Sequence, residues 1–235
     1  QAARMIDAYY SRGCDSKELF TGLKISESED FLKHLNKYNV IHLDISSFVD
    51  EYTDNLVSEI KRHIFNEFKE VYPNIDYTNS TASILKQVYD KSEVTIDGKK
   101  ERYAFVIIID EWDCVVRNFS DRPDVVHEYL QFLHSLFKSE ESQEFLALGY
   151  ITGILPIKKI EDESALNNFL EYTMIDSEEL TEYFGFTEKE VEMLCEKYGM
   201  NTDSVKEWYN GYLIDGQHMY NPNSVYNAMM RGKLD

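Results

Sequence analysis

The stretch Phe105-Val-Ile-Ile-Ile-Asp-Glu-Trp-Asp113 decides the fold of this 235-residue chain. Its first five residues are apolar and mostly β-branched, so both faces of a strand built from them are apolar. Such a strand is covered on both faces, as in a parallel sheet flanked by helices. We therefore predict a central, buried strand whose carboxyl end carries Asp110 and Glu111.

Further strand and helix patterns surround this stretch. Apolar runs at residues 40–45 and 147–151 predict two more strands, the first leading into a loop at Ser46-Ser47. Apolar residues at four-residue steps predict a helix over residues 54–71, and Pro123 opens another. Asp97-Gly98 indicates a hairpin turn between residues 94–96 and 103–105. Alternating strands and helices predict an α/β fold with a mostly parallel sheet.

The pattern changes toward the end of the chain, where short helical segments follow one another. Thr187 and Glu190 have the spacing of a capping box, and Gly199 is placed to end the helix that they begin. A further short helix is expected over residues 203–209. We therefore expect an α/β core over residues 1–170 and a small helical subdomain over residues 171–235.

Charge and cysteine content limit the classes of function. The chain has 43 Asp and Glu against 24 Lys and Arg, a net charge of −19, which disfavours binding of nucleic acid by this segment. The three cysteines show no CxxC spacing, which favours a reducing cytoplasm over a disulfide framework or zinc knuckle. No apolar run approaches the roughly 20 residues of a membrane helix.

The acidic end of the central strand carries the chemistry. Ligands of open α/β sheets bind at the carboxyl ends of the strands. There Asp110 can associate with Mg²⁺, whose other ligands come from phosphate oxygens and water. Glu111 points in another direction, because side chains alternate along a strand, and can accept a proton from an attacking water. The alternative is a buried strand followed by a solvated acidic turn.

Three further residues are candidates for the same edge. Thr152 follows the strand at residues 147–151, where its hydroxyl can bind a terminal phosphate or the attacking water. Asp113 adds a third carboxylate, although a helix N-cap or turn role is the alternative. Asp44 ends the strand at residues 40–45 and either faces the same pocket or caps the turn before Ser46.

Beyond these motifs, the chain resembles the predicted AAA-ATPase-like family of bacterial P-loop proteins, which are often fused to a nuclease-like domain of the PD-(D/E)xK type. The resemblance covers nearly the whole chain in the family's order. It is carried by residues 18–23 (ELFTGL), 40–46 (VIHLDIS), 109–113 (IDEWD), 151–154 (ITGI), 165–168 (ALNN), 183–187 (YFGFT), 207–212 (EWYNGY) and 220–222 (YNP).

The resemblance implies a P-loop NTPase-type three-layer fold and a function that depends on ATP and Mg²⁺. It makes Asp110 the Mg²⁺-associated acid of a Walker B strand, Glu111 the base and Thr152 a sensor-like residue. Residues 208–212, including Trp208, Tyr209, Gly211 and Tyr212, are implied to belong to a helical lid. A nuclease-like effector outside this segment is the partner that the resemblance suggests.

Two departures qualify this resemblance. Trp112 stands where the family usually has Tyr, a tolerable aromatic exchange. The sequence also contains no GxxxxGK[ST] loop, whose backbone amides and Lys hold the β and γ phosphates. In the family that loop precedes the helix that here begins at Gln1. We therefore expect this chain to be a fragment that binds ATP poorly by itself.

Two other classes of function stay open at this point. The first is an interaction scaffold that keeps the P-loop fold without using nucleotide. The second is a carboxylate-metal hydrolase that uses Asp44, Asp110, Glu111 and Asp113 together.

Overall fold

A computed structural model describes residues 2–51, 54–96, 98–157, 166–173, 176–209, 211–214 and 216–234. The chain forms two compact units, Gln1–Phe169 and Leu170–Asp235. Ala165 and Asn210, which belong to the stretches that carry the family resemblance, lie outside the described residues, as does Asp97 of the predicted hairpin turn.

The first unit alternates helices and strands along the chain. Two 3-10 helices, Lys17–Phe20 and Lys24–Glu27, follow its first helix. The other elements are α1 (Ala2–Tyr10), α2 (Phe31–His34), β1 (Asn39–Asp44), α3 (Ile45–Glu51), α4 (Leu56–Val71), α5 (Thr81–Lys91), β2 (Val94–Ile96), β3 (Lys99–Glu101), β4 (Phe105–Asp110), α6 (Cys114–Asn118), α7 (Pro123–Phe137), α8 (Ser142–Phe145) and β5 (Leu146–Ile151).

Three of these strands form a parallel sheet in the order β1-β4-β5. The stretch that opened the sequence analysis is therefore the central strand of the sheet. In the register of β1 against β4, Asp44 is the partner of Asp110, so the two carboxylates end neighbouring strands. The predicted α/β fold with a parallel sheet is confirmed.

Both faces of β4 are covered, as its composition predicted. Phe105, Ile107 and Ile109 belong to a large core that includes buried residues of α4, α5 and α7. The intervening Val106 and Ile108 pack with Ala3 of α1 in a separate cluster on the other face. All five apolar residues are fully buried. Helices on both sides of a parallel sheet give the three-layer arrangement.

Two local predictions near the sheet were wrong. Ser46 and Ser47 are in helix α3 and not in a loop, because the chain turns directly after Asp44. The second strand of the hairpin is β3 at Lys99–Glu101, four residues earlier than expected. Residues 102–104 instead connect the hairpin to the central strand.

The second unit combines helices with a small antiparallel sheet. Its elements are a 3-10 helix (Glu178–Tyr183), β6 (Phe186–Thr187), α9 (Glu188–Tyr198), α10 (Thr202–Trp208), β7 (Tyr212–Ile214), β8 (Gln217–Tyr220) and α11 (Pro222–Arg231). The strands pair in the order β6-β8-β7. They have two to four residues each, too few for an alternating pattern to be visible in the sequence, so they were not predicted.

The predicted helix signals of this unit are present. The Thr187 hydroxyl accepts a hydrogen bond from the Glu190 backbone N–H, and the Glu190 carboxylate accepts one from the Thr187 N–H. Gly199 ends α9 with φ of 67°, a left-handed conformation that glycine adopts at little cost. Val191 and Cys195 of α9 pack with Val205 and Val225 in the core of this unit.

None of the described helices has the length and apolar character needed to cross a membrane.

Candidate functional site

Asp110 lies at the carboxyl end of β4 and contacts Thr152, the residue that follows β5. The Thr152 backbone N–H donates to the Ile109 carbonyl at 2.9 Å, which extends the pairing of β5 with β4 by one residue. The Thr152 hydroxyl donates to Asp110 Oδ1. One carboxylate oxygen of the half-buried Asp110 is thus oriented by Thr152. The sequence predicted that these two side chains lie at one edge, and the structure brings them into contact.

Glu111 follows in an unusual backbone conformation. Its φ is 52°, in the left-handed region that a residue with a Cβ seldom adopts. Conformations of this kind cost on the order of 1–3 kcal/mol and cluster at functional sites. The turn leaves the Glu111 side chain half exposed, with Oε2 3.6 Å from the Arg117 guanidinium. The Trp112 N–H then donates to the Thr152 carbonyl at 3.0 Å, so the turn is fixed on β5.

Asp113 is fully buried, and its carboxylate is engaged by the protein. It accepts hydrogen bonds from the backbone N–H groups of Ile154 (3.2 Å) and Leu155 (2.9 Å) and from Arg117 Nε (2.8 Å). The contact raises the pKa of Arg117, chiefly through that hydrogen bond. Asp113 therefore connects the turn after β4 to the loop after β5. These contacts are those of a turn residue, which was one of the alternatives for Asp113.

Gly153 permits this connection, although the sequence analysis did not single it out. A Cβ at Gly153 would lie 2.5 Å from Asp113 Oδ1 and 2.6 Å from Trp112 Cδ1, which is closer than side chains pack. The signal in the sequence was the glycine immediately after Thr152. The steric reason for this glycine could not be predicted, because it depends on Asp113, which lies about 40 residues earlier in the chain.

Tyr129 of α7 supports the site from inside the core. Its hydroxyl donates to the Trp112 carbonyl at 2.9 Å, and both side chains are buried. Burial raises the pKa of Tyr129 well above that of free tyrosine, and the nearby Cys114 and Asp113 add to the shift. Burial likewise raises the pKa of the Cys114 thiol, although the Arg117 charge and Asn118 oppose it. Neutral, hydrogen-bonded groups therefore lie beneath the acidic turn.

Asp44 has a structural partner of its own. Its Oδ1 accepts hydrogen bonds from the Ser46 backbone N–H at 3.1 Å and the Ser46 hydroxyl at 2.6 Å. The Ser47 hydroxyl donates to the Asp44 carbonyl at 2.8 Å. Asp44 therefore caps the turn into α3 and ends the strand beside Asp110, while its part in a shared pocket stays a prediction.

The two arginines after the acidic turn pair with carboxylates. Arg117 contacts Asp113 and Glu111, and Arg122 contacts Asp54 and Asp124 at 3.3 Å each. Through these contacts both arginines offset local negative charge.

The donor set at this edge suits Mg²⁺ bound together with a phosphate. Across the ranges that the structure describes, no group of three or more His, Cys, Asp or Glu side chains is arranged to hold a metal. Mg²⁺ commonly uses one or two carboxylates and takes its remaining ligands from substrate phosphates and water. Asp110, whose carboxylate is oriented by Thr152, provides one such carboxylate.

The residues assigned to a lid lie in the second unit. The side chains of Trp208 and Tyr212 are 60% and 59% exposed, whereas Tyr209 packs against the core of that unit. The backbone at Gly211 passes close to β8, and a Cβ there would lie 1.8 Å from the Met219 carbonyl oxygen. Glycine is therefore required where the chain enters β7 beside β8.

Comparison with known proteins identifies the family. Residues 2–161 match the model of the family described as predicted AAA-ATPase, and the chain belongs to that family. A curated protein from Azotobacter chroococcum mcd 1, described as an uncharacterized protein in the vnfD 5' region, is 29% identical over 120 residues. That match covers 50% of this chain and 23% of the relative, so the matched half of the chain spans about a quarter of that protein. No solved structure matches the chain.

Proposed function

We propose that this member of the predicted AAA-ATPase family is the main part of a Mg²⁺-dependent ATPase domain whose nucleotide state is coupled to an attached effector, such as a nuclease-like domain. The observation that carries the proposal is the contact between Asp110 and Thr152 at the carboxyl edge of the parallel sheet. Ligands of open α/β sheets bind at this edge.

Each carboxylate of the turn has a role in the proposal. Asp110 would hold Mg²⁺ together with the nucleotide, and the ion would neutralise charge on the phosphates. Glu111, half exposed and turned away from the strand by its positive φ, would accept the proton of the attacking water. Thr152 would orient Asp110 and sense the terminal phosphate. Asp113, with its oxygens engaged by backbone N–H groups, would position the turn instead of binding metal.

The exposure of β5 leaves room for a further strand beside it. Residues of β4 are buried almost throughout, whereas β5 is only partly covered, and Leu148 is 36% exposed. Among the described strands, β5 pairs only with β4. A parallel strand added beside β5 would carry its own loop to the same edge as Thr152. We propose that the glycine-lysine loop of the family reaches the site in this way.

The test uses the protein extended upstream of Gln1 to include that loop. Calorimetry should detect Mg-ATP binding, and Glu111→Gln should slow hydrolysis by about 100-fold or more while it leaves the affinity for ATP nearly unchanged. Glu128→Gln, an exposed carboxylate on α7, is the matched control and should behave as wild type. An extended protein that binds no nucleotide would contradict the proposal.

That negative result would favour the interaction scaffold, the second candidate. The carboxylate-metal hydrolase is less well supported, because Asp113 is engaged by the backbone and Asp44 by Ser46. Metal-dependent nuclease activity without ATP, lost in Asp110→Asn, would favour it instead.

A further inference from the structure

A basic cavity lies at the opposite edge of the same sheet. It has a volume of about 700 Å³ and is lined by residues that directly precede β1 and β4, including Tyr38 and Tyr103. The segment after α1, with Arg12 and Gly13, forms another wall. The cavity is therefore separated from Asp110 by the length of the strands and is not part of the candidate ATPase site.

The charge of this cavity is opposite to that of the chain. Arg12, Lys33, Lys37 and Arg102 line it together with His34, and Glu101 is the single carboxylate of the lining. The chain as a whole carries a charge of −19. At physiological salt, charges more than about 8 Å away are largely screened. An anion in the cavity would thus interact mainly with the cations that line it, in spite of the net charge.

Two of these cations have no carboxylate partner among the residues that the structure describes. Within the described part of the chain, neither Arg12 nor Lys37 forms an ion pair with a carboxylate. Lys33 pairs with Asp30 at 3.5 Å, but both side chains are about two-thirds exposed, so the pair is weak and can exchange. Arg102 differs, since it pairs with Asp90 and Glu93.

The walls of the cavity are fixed before any ligand arrives. Asn36 has φ of 56°, and its side-chain amide donates to the Ser11 carbonyl at 2.9 Å and the Ala8 carbonyl at 3.2 Å. The Arg12 and Tyr38 backbones are joined by a 2.9 Å hydrogen bond. The Arg12 guanidinium lies 4.4 Å from the centre of the Tyr103 ring, a cation–π contact that orients it. Preorganised walls reduce the entropy lost on binding.

The aromatic rings of the cavity make contacts with other side chains of the protein. Arg12 covers Tyr103, and the Tyr38 hydroxyl is hydrogen-bonded to His34 Nδ1 at 2.6 Å while its ring packs edge-on against Tyr10. Single-stranded nucleic acids bind through aromatic faces on which bases stack. The geometry favours a compact ligand recognised by its charge over a nucleic acid strand.

We propose that this cavity binds a small molecule that carries one or more phosphate groups. Within the described part of the chain, Arg12 and Lys37 are the lining Arg and Lys residues that form no ion pair, and phosphate oxygens would supply acceptors for them. Arg and Lys are the side chains that bind phosphate oxygens best. The site is independent of the nucleotide site at the carboxyl edge.

Inorganic tripolyphosphate is the probe, titrated calorimetrically into the 235-residue chain without Mg²⁺. Wild type should bind it, and Arg12→Gln/Lys37→Gln should weaken binding by at least tenfold. The control Lys24→Gln/Lys189→Gln removes the same charge from two exposed positions and should change the affinity less than twofold. Asp110→Asn should bind as wild type, which separates this cavity from the candidate ATPase site.

Three outcomes would overturn the proposal. The first is that the control pair of substitutions weakens binding as much as Arg12→Gln/Lys37→Gln does. The second is that citrate binds more tightly than tripolyphosphate. The third is that, at a physiological ionic strength of about 0.15 M, single-stranded DNA binds and tripolyphosphate does not. Equal melting temperatures of the two double variants would show that a loss of binding is not a loss of folding.

Discussion

The two edges of the parallel sheet are built from the same strands but are fixed in different ways. At the carboxyl edge, acidic side chains are held by hydrogen bonds from Thr152 and from the loop that follows it. At the amino edge, cations line a cavity whose walls are fixed by the Asn36 side chain, and among the described residues Arg12 and Lys37 have no carboxylate partner. One sheet thus carries acidic side chains at one end of its strands and mainly basic side chains at the other.

The largest effect is expected from the loss of the buried carboxylate at the acidic edge. Asp113→Ala leaves the backbone N–H groups of Ile154 and Leu155 without their acceptor, and should lower the free energy of unfolding by about 3 kcal/mol. Urea unfolding measures the change, with the exposed Asp121→Ala as control. A loss equal to that of the control would mean that the acidic edge is not held by Asp113 as described.

The corresponding change at the basic edge should be smaller. Asn36→Ala removes the hydrogen bonds to the end of α1 and keeps a Cβ at positive φ, so we expect a loss of about 2 kcal/mol. Asn36→Gly should recover roughly 1 kcal/mol of that loss, because glycine adopts this conformation without strain. Unfolding curves of both variants test this, and equal stability of the two would argue against strain at Asn36.

A more specific change at the acidic edge concerns activity and not folding. In the upstream-extended protein, Thr152→Val keeps the shape of the side chain but removes the hydroxyl that orients Asp110. We expect ATP hydrolysis to fall about tenfold, which corresponds to roughly 1.4 kcal/mol. Steady-state rates measure the effect, and Thr173→Val in the second unit serves as a control. An unchanged rate of hydrolysis would show that Thr152 has no role in the reaction.

The smallest effect is expected beneath the acidic edge and depends on pH. Tyr129→Phe removes the hydrogen bond to the Trp112 carbonyl and should cost about 1 kcal/mol at pH 8. The folded pKa of Tyr129 is raised, so its contribution is present below pH 10, roughly the pKa of unfolded tyrosine, and is lost as the pH rises above it. The difference from wild type should therefore narrow in alkaline solution. A difference that widens there would contradict the assignment.

The sequence anticipated the elements whose signals are local. The apolar run of β4 specified a strand covered on both faces, and the capping box specified the beginning of α9. The strands of the second unit were not predicted from the sequence because each has only two to four residues. The helix at Ser46-Ser47 was not predicted because polar residues after a strand are equally typical of a loop.

The site was anticipated only in part, for the same reason. That Asp110, Glu111 and Thr152 share an edge follows from their positions at strand ends, since parallel strands end together. The partners of Asp113 and the steric need for Gly153 involve residues about 40 positions apart in the chain, and no local pattern encodes such contacts. The basic cavity joins segments even more distant, from Arg12 to Tyr103.

The sequence by itself determined that β4 is buried on both faces and carries acids at its carboxyl end, because the order of apolar and charged residues fixes both. It also determined the net charge of −19. The tertiary structure alone decided which carboxylate is engaged by the backbone, which is oriented by a hydroxyl, and where basic side chains line a cavity. These properties depend on distances between segments far apart in the chain, and only the folded backbone sets those distances.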